Sequence, residues 1–141
     1  MTASLRHQGL VCMISSLALL AVSPAAFAGD RIGIAATVRN KVSGRIQTQM
    51  LLVNSGENVY DRELVKTEAD SSAKIVLKDN TNLNVGPSSA LSLDNFVFSG
   101  DQDYKKAGFN LAKGAFRFTT GASDKRAYEL KTPTATIGVR G

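Results

Sequence analysis

From Ala73 to Leu93 the chain keeps to a two-residue period. Ala73, Ile75, Leu77, Leu83, Val85, Leu91 and Leu93 are apolar and odd-numbered. Lys74, Lys78, Asn82, Asn84, Ser88, Ser92 and Asp94 hold even positions, with Val76 and Ala90 as exceptions. Side chains alternate across a strand, so this pattern predicts strands with one buried face and one wet face. A helix does not fit, because the helical neighbours of Ile75 are Lys78, Asp79 and Asn82. Asp79-Asn80 and Gly86-Pro87-Ser88-Ser89 interrupt the run with residues that turn the chain. The stretch 73–98 therefore predicts three short strands joined by tight turns.

The same reading extends along the chain. Ile32, Ile34, Ala36, Val38 and Val42 are apolar at even positions, predicting a first strand that Ser43-Gly44 turns. Residues 46–53 carry Ile46, Met50 and Leu52 on one parity and Leu51 and Val53 on the other. They read as a strand buried on both sides, with a short helix as the alternative. Short strands follow at 59–60 and 64–67. Residues 99–106, SGDQDYKK, are polar enough for a protruding hairpin tip or loop. Phe109 and Leu111 resume the alternation, Lys113-Gly114 turns it, and Phe116 and Phe118 continue it on the other phase. Arg117 lies between those two phenylalanines and must point outward, where it can join a partner surface. A loop at 119–124 includes Gly121, and a strand around Tyr128 and Leu130 is stopped by Pro133, which cannot donate to a ladder. Ala135, Ile137 and Val139 form the last strand. Gly44, Gly86, Gly114, Gly121, Gly138 and Gly141 read as turn or bulge positions. About a dozen short strands with frequent turn signals predict an all-β fold, a sandwich or a flattened β-solenoid.

Residues 1–28 obey another rule. Arg6 gives a basic start, Leu10–Val22 form an apolar run, Pro24 follows, and Ala26-Phe27-Ala28 places small residues where a signal peptidase reads. This predicts a cleavable secretory signal peptide over 1–28, with Gly29 as the first mature residue. The apolar run is shorter than the ~20 residues of a membrane span. The mature chain, 29–141, is thus expected as one periplasmic or secreted domain, not an integral membrane protein. Cys12 lies inside the apolar run, so it is not a lipoprotein cysteine.

Cleavage also alters the available chemistry. His7 and Cys12 are the sole histidine and cysteine, and there is no tryptophan. A mature chain without them has no disulfide, although its destination is oxidising. It lacks the imidazole and thiolate ligands of zinc, copper and haem sites, and the groups of His- or Cys-based catalysis. No enzyme activity and no cofactor are expected. Arg6 is the only Lys, Arg, Asp or Glu lost, so the net charge falls by one from +5. A surplus this mild does not call for a nucleic-acid partner.

Two motifs carry a family resemblance. LKDNTNLNVGPSSALSLDNFVF resembles the core of a FecR domain, a β-rich module of bacterial envelope proteins. Asn80 stands where that family usually has the Gly of an Asp79-Gly turn, and Asn tolerates left-handed backbone. The Gly86-Pro87 turn also matches. The more specific motif is GAFRFTTG…YELKTPTATIGVRG, with Gly114, Arg117, Gly121, Pro133, Gly138 and Arg140 at family positions. VRNKVSG, which contains Gly44, is similar to the start of the domain, so the resemblance covers about residues 32–141. Glu68 departs from the family, replacing a Gly after Lys66-Thr67. The family's chain normally runs past the Arg-Gly close into another strand. A module ending at Gly141 is therefore expected either to be closed by something else or to be truncated, with one ladder edge unpaired.

The resemblance implies a non-catalytic extracytoplasmic module for sensing or interaction, with an envelope protein as partner. Because the secretion signal begins at residue 1, only the location and the protein partner carry over, and not the family's regulation of a sigma factor. The alternative is a module that binds a cell-envelope glycan such as peptidoglycan. Local candidates for other chemistry are weak. Asp79–Asn84 fails as a calcium loop, since Leu83 and Asn84 occupy positions that need an oxygen ligand and Gly, and it reads as a hairpin turn with an exposed polar face. Asp101 and Asp103 have the pairing of glycosidase carboxylates but only Tyr104 as an apolar neighbour, so they read as a solvated loop. Lys105-Lys106 and Lys125-Arg126 are basic doublets in loops without interleaved stacking aromatics.

Overall fold

In the computed structural model the described residues are 29–100, 102–133 and 136–138, and their strands form two sheets. The five-stranded sheet runs β10 (Phe116–Thr119), β7 (Asn82–Val85), β6 (Ser72–Leu77), β1 (Arg31–Arg39), β4 (Asn58–Tyr60). The seven-stranded sheet runs β12 (Thr136–Gly138), β11 (Tyr128–Lys131), β9 (Tyr104–Lys113), β8 (Ala90–Phe98), β5 (Leu64–Thr67), β2 (Val42–Ile46), β3 (Gln49–Leu52). Neither sheet closes into a barrel. Every pairing is antiparallel except that of β9 with β11. The all-β expectation holds, and the one helical element among the described residues is a single 3-10 turn, Lys125–Ala127.

One core joins the sheets. Ile32, Ile75, Leu77, Leu83 and Val85 enter it from the first sheet, and Val42, Val65, Leu91, Leu93, Phe109 and Tyr128 from the second. The alternation of 73–93 is therefore real burial, with Ala73, Ile75, Leu77, Leu83, Val85, Leu91 and Leu93 all inside. Its three strands do not share a sheet, however. β6 and β7 form a hairpin, whereas Gly86-Pro87-Ser88-Ser89 carries the chain across to β8 in the other sheet. Hydrogen bonds hold this crossover: the Thr67 hydroxyl donates to the Gly86 carbonyl at 2.6 Å, and the Ser89 amide donates to the Thr67 hydroxyl at 2.9 Å. Asn80 is left-handed at φ 65°, as its turn requires.

Several local expectations are corrected. In β1 the even-position face fails after Ile34, because a bulge at Ala36 shifts the register against β6. Ala35 is buried and Ala36 exposed. Gly44 does not turn the first strand. Asn40, at φ 59°, separates β1 from β2, and Gln47-Thr48 turns β2 into β3. Gly44 sits inside β2 because a Cβ there would overlap the Glu63 carboxylate. Residues 49–52 are not a strand buried on both sides but an exposed edge strand, bonded among the described residues to β2 alone. Left-handed Asn95 and a bulge reverse the parity of β8, burying Phe96 and exposing Val97. Lys105-Lys106 lies inside β9 rather than in a loop, and Lys125-Arg126 lies in the 3-10 turn.

Candidate interaction surface

β3 has the sequence QMLL, without a charge. It pairs with β2 from Gln49↔Ile46 to Leu52↔Ser43 and ends the seven-stranded sheet. An edge strand offers unpaired backbone N–H and C=O groups along its outer side, and proteins usually blunt such an edge with charge, proline or a cover. Here the side chains add to the exposure: Met50 is 63% exposed, Leu51 49% and Leu52 62%. Covering three such side chains with a partner is worth about 1.5–3 kcal/mol each before the cost of association.

A groove of about 440 Å³ runs beside this edge. Ile46, Leu51 and Leu52 supply apolar wall, and Glu57, Tyr60 and Glu63 the polar part. Glu63 is only 4% exposed. Its Oε2 accepts from the Tyr60 amide at 2.9 Å, and the missing side chain of Gly44 makes room for the other oxygen. Burial pushes the Glu63 carboxyl above its ordinary range; the Tyr60 amide opposes that rise, and the nearby Glu57 charge adds to it. Glu57 itself is held low by hydrogen bonds from the Asn54 side chain and amide.

The other concentration of polar groups is closed. Asp79, at the β6–β7 turn, is 1% exposed. Its Oδ1 accepts from the Thr81 amide at 2.9 Å and its Oδ2 accepts from the Tyr128 hydroxyl. Thr81 and Tyr128 hydroxyls lie 3.1 Å apart, and the Gly121 amide donates to Thr81 at 3.1 Å. The Asp79 carbonyl accepts from Ala122 at 2.8 Å. Tyr104 links the sheets again, its hydroxyl donating to the Ile32 carbonyl at 2.5 Å. Burial alone would raise the Asp79 carboxyl, but hydrogen bonds from Tyr128, Thr81 and Ser123 outweigh it and hold the group below its usual range. Burial, chiefly, lifts Tyr104 well above a free phenol. With its buried polar atoms partnered among the described residues, this network fastens the two sheets.

The remaining sequence candidates fall elsewhere. Asp79 is not on an exposed polar face, although Asn82 and Asn84 are at most half-buried. Gly86 and Pro87 form the sheet crossover, Gly114 is a turn at φ 85°, and Gly121 lies against the backbone of Asp79 and Thr81. Arg117 points outward from β10, opposite Asn84. Pro133 follows the end of β11, and Gly138 closes β12. Gly29 is described, whereas Ala26, Ala28, Asp101, Ala135, Val139, Arg140 and Gly141 lie outside the described residues. Asp103 is exposed in the β8–β9 loop. Among the described residues no three His, Cys, Asp or Glu are grouped to hold a metal ion.

Sequence reasoning missed Glu63, Tyr104 and Tyr128. The two tyrosines left a usable sign, since a phenol at a core position needs a hydrogen-bond partner. Glu63 left none, because its burial depends on Gly44, nineteen positions away and facing it only in the folded sheet.

A family model described as FecR protein matches residues 63–141. The match begins at Glu63, so β1 to β4, including the VRNKVSG segment and the open edge, precede it. No curated protein and no solved structure matches the chain.

Proposed function

The chain belongs to the FecR family, and from that we propose a non-catalytic extracytoplasmic module that senses or relays by adding a strand of a partner protein to β3. The observation that carries this reading is the uncharged edge that leaves Met50, Leu51 and Leu52 exposed beside the groove. An extended apolar segment would gain backbone hydrogen bonds along Gln49–Leu52, and pockets for alternate side chains beside Leu51 and Leu52 would give selectivity. The layered sheets support a sandwich over a solenoid, because antiparallel pairing dominates where coils of a solenoid would stack in parallel. The signal-peptide pattern over 1–28 supports export, with one domain over 29–141. Among the described residues no helix is long and apolar enough to cross a membrane.

The test is photocrosslinking in the native cell, with benzoylphenylalanine placed at Met50 and, as control, at the exposed Lys74 of β6. We expect one discrete adduct with a different protein from position 50 alone, lost when Leu51→Asp is added. Equal adducts from both positions, or an adduct only with a second copy, would overturn the reading.

A further inference from the structure

The two basic doublets are twenty residues apart in sequence, yet the fold brings Lys105 and Lys106 of the first and Arg126 of the second to one cleft. β11 pairs in parallel with β9, Tyr128 opposite Ala107, so the 3-10 turn before β11 lies beside the start of β9. The start of β9 is itself irregular. Val97 pairs with Lys106 and Phe98 with Tyr104, which leaves Lys105 as an extra residue in a bulge. In a regular strand one of two successive lysines would face the core. Here Tyr104 and Ala107 are buried while both lysines between them are exposed.

Lys105, Lys106 and Arg126 line the same cleft, about 530 Å³, together with Val97, the buried Ala127 and Tyr128, and Glu129. A second hollow of about 590 Å³ shares Lys105, Arg126 and Ala127 and continues toward Ser99 and Ser123. The acidic groups nearby are largely engaged. Asp124 accepts from Arg126 through both oxygens, at 3.3 and 3.1 Å, and Glu129 pairs with Lys131 at 3.3 Å. Asp103 borders the second hollow, and Asp94 shares a small hollow with Lys106. Among the described residues neither Lys105 nor Lys106 is in an ion pair.

We propose that this cleft binds a glycan carrying carboxylate groups, at a site separate from the β3 edge. The Lys105 and Lys106 ammonium groups would each take a singly charged carboxylate of the glycan. Val97, 46% exposed, would take the apolar face of a sugar ring. Charge matching favours carboxylate over a phosphate monoester: each ammonium group balances one singly charged carboxylate, whereas a monoester carries nearly two charges on one group. The site is independent of the strand-addition reading, since none of its residues lies on β3.

Titration calorimetry of the full mature chain at low salt, with polygalacturonate oligomers, tests it. We expect binding that K105A/K106A weakens by about tenfold or more, the loss of two charge-assisted contacts. K66A/K74A removes the same charge from exposed strand positions elsewhere and should weaken it less than about twofold. Lys105→Arg should retain binding. No binding, equal loss in the two double variants, or equal affinity for neutral maltoheptaose would overturn the proposal. Equally tight binding of a DNA oligonucleotide would show general attraction to polyanions, and displacement by inorganic phosphate at matched ionic strength would show a phosphate site; either result overturns it. Circular dichroism of each variant separates a lost contact from a lost fold.

Discussion

The Asp79 network and the β3 edge treat exposed potential in opposite ways. At Asp79 a charged group has been taken inside and surrounded, so that Thr81, Tyr128 and the backbone at 121–122 satisfy it and each other. At β3 three apolar side chains and a row of backbone groups have been left outside. Cost decides the first arrangement: a buried carboxylate without partners is expensive, so a native one is surrounded. The second has no such compensation among the described residues, and an uncovered apolar edge is where a partner gains most. The closed region lies inside the family match, at 79 and 128, while the open one lies before it.

Breaking the closed region should have the largest effect. Asp79→Ala leaves the Thr81 amide and the Tyr128 hydroxyl without their acceptor, and we expect a loss of roughly 3 kcal/mol in denaturant unfolding at pH 7. The folded Asp79 carboxyl titrates below its unfolded value, so its contribution is present above the unfolded value of about 3.8 and fades as pH falls through the folded one. The variant should therefore lose part of the wild-type chain's acid sensitivity. A loss under about 1 kcal/mol would mean the network is ornamental.

Gly121→Ala probes the same region through space rather than charge. An added Cβ would run into the Asp79 carbonyl and the Thr81 amide, which are backbone and cannot swing aside. We expect about 1–3 kcal/mol of destabilisation. An unchanged melting temperature would show that the loop carrying Gly121 is looser than its contacts imply.

Glu63, under the open edge, should behave with the opposite sign to Asp79. Its folded carboxyl holds a proton more tightly than the unfolded one. Stability from this group is full below the unfolded value, about 4.5, and is lost as pH rises through the folded value. Glu63→Gln removes that loss and should make the chain more stable at pH 8 than its parent, with a flatter profile from pH 5 to 8. A variant less stable than the parent at pH 8 would show that the ionised carboxylate is needed where it lies.

Leu52→Ser should change least. The side chain is 62% exposed, so monomer stability should stay within about 0.5 kcal/mol of the parent. A larger loss would place Leu52 in the core of the fold and not on a surface kept for a partner.

How much of this was legible follows from what each signal depends on. The strands of 73–93 were readable because alternation is local and burial enforces it residue by residue. The turn at Asn80 was readable because the residue type tolerates the φ it adopts. That β8 leaves the sheet of β6 and β7 was not, since the same four-residue turn serves a hairpin or a crossover, and the choice rests on the distant hydroxyl of Thr67. Parity failed at Ala36, where a bulge adds a residue, because a bulge leaves no fixed mark in composition; the irregularities at Asn95 and Lys105 are equally silent in the sequence. The apolar run 49–52 misled for a different reason: hydrophobicity is a guide to burial within one chain, and this strand's face is exposed in it. The basic doublets were seen, but their convergence depends on the parallel pairing of β9 with β11.

Amide hydrogen exchange on purified protein spanning residues 29–141 compares the two regions directly. The account predicts that the amides of Gln49–Leu52 that face away from β2 exchange first, through local fraying. The amides of Thr81, Leu83 and Ala122 should exchange only at the limit set by global unfolding. Protection of every β3 amide as strong as that of Thr81 would contradict it, for the edge would then be covered already by another segment or another copy, with no place left for a partner strand.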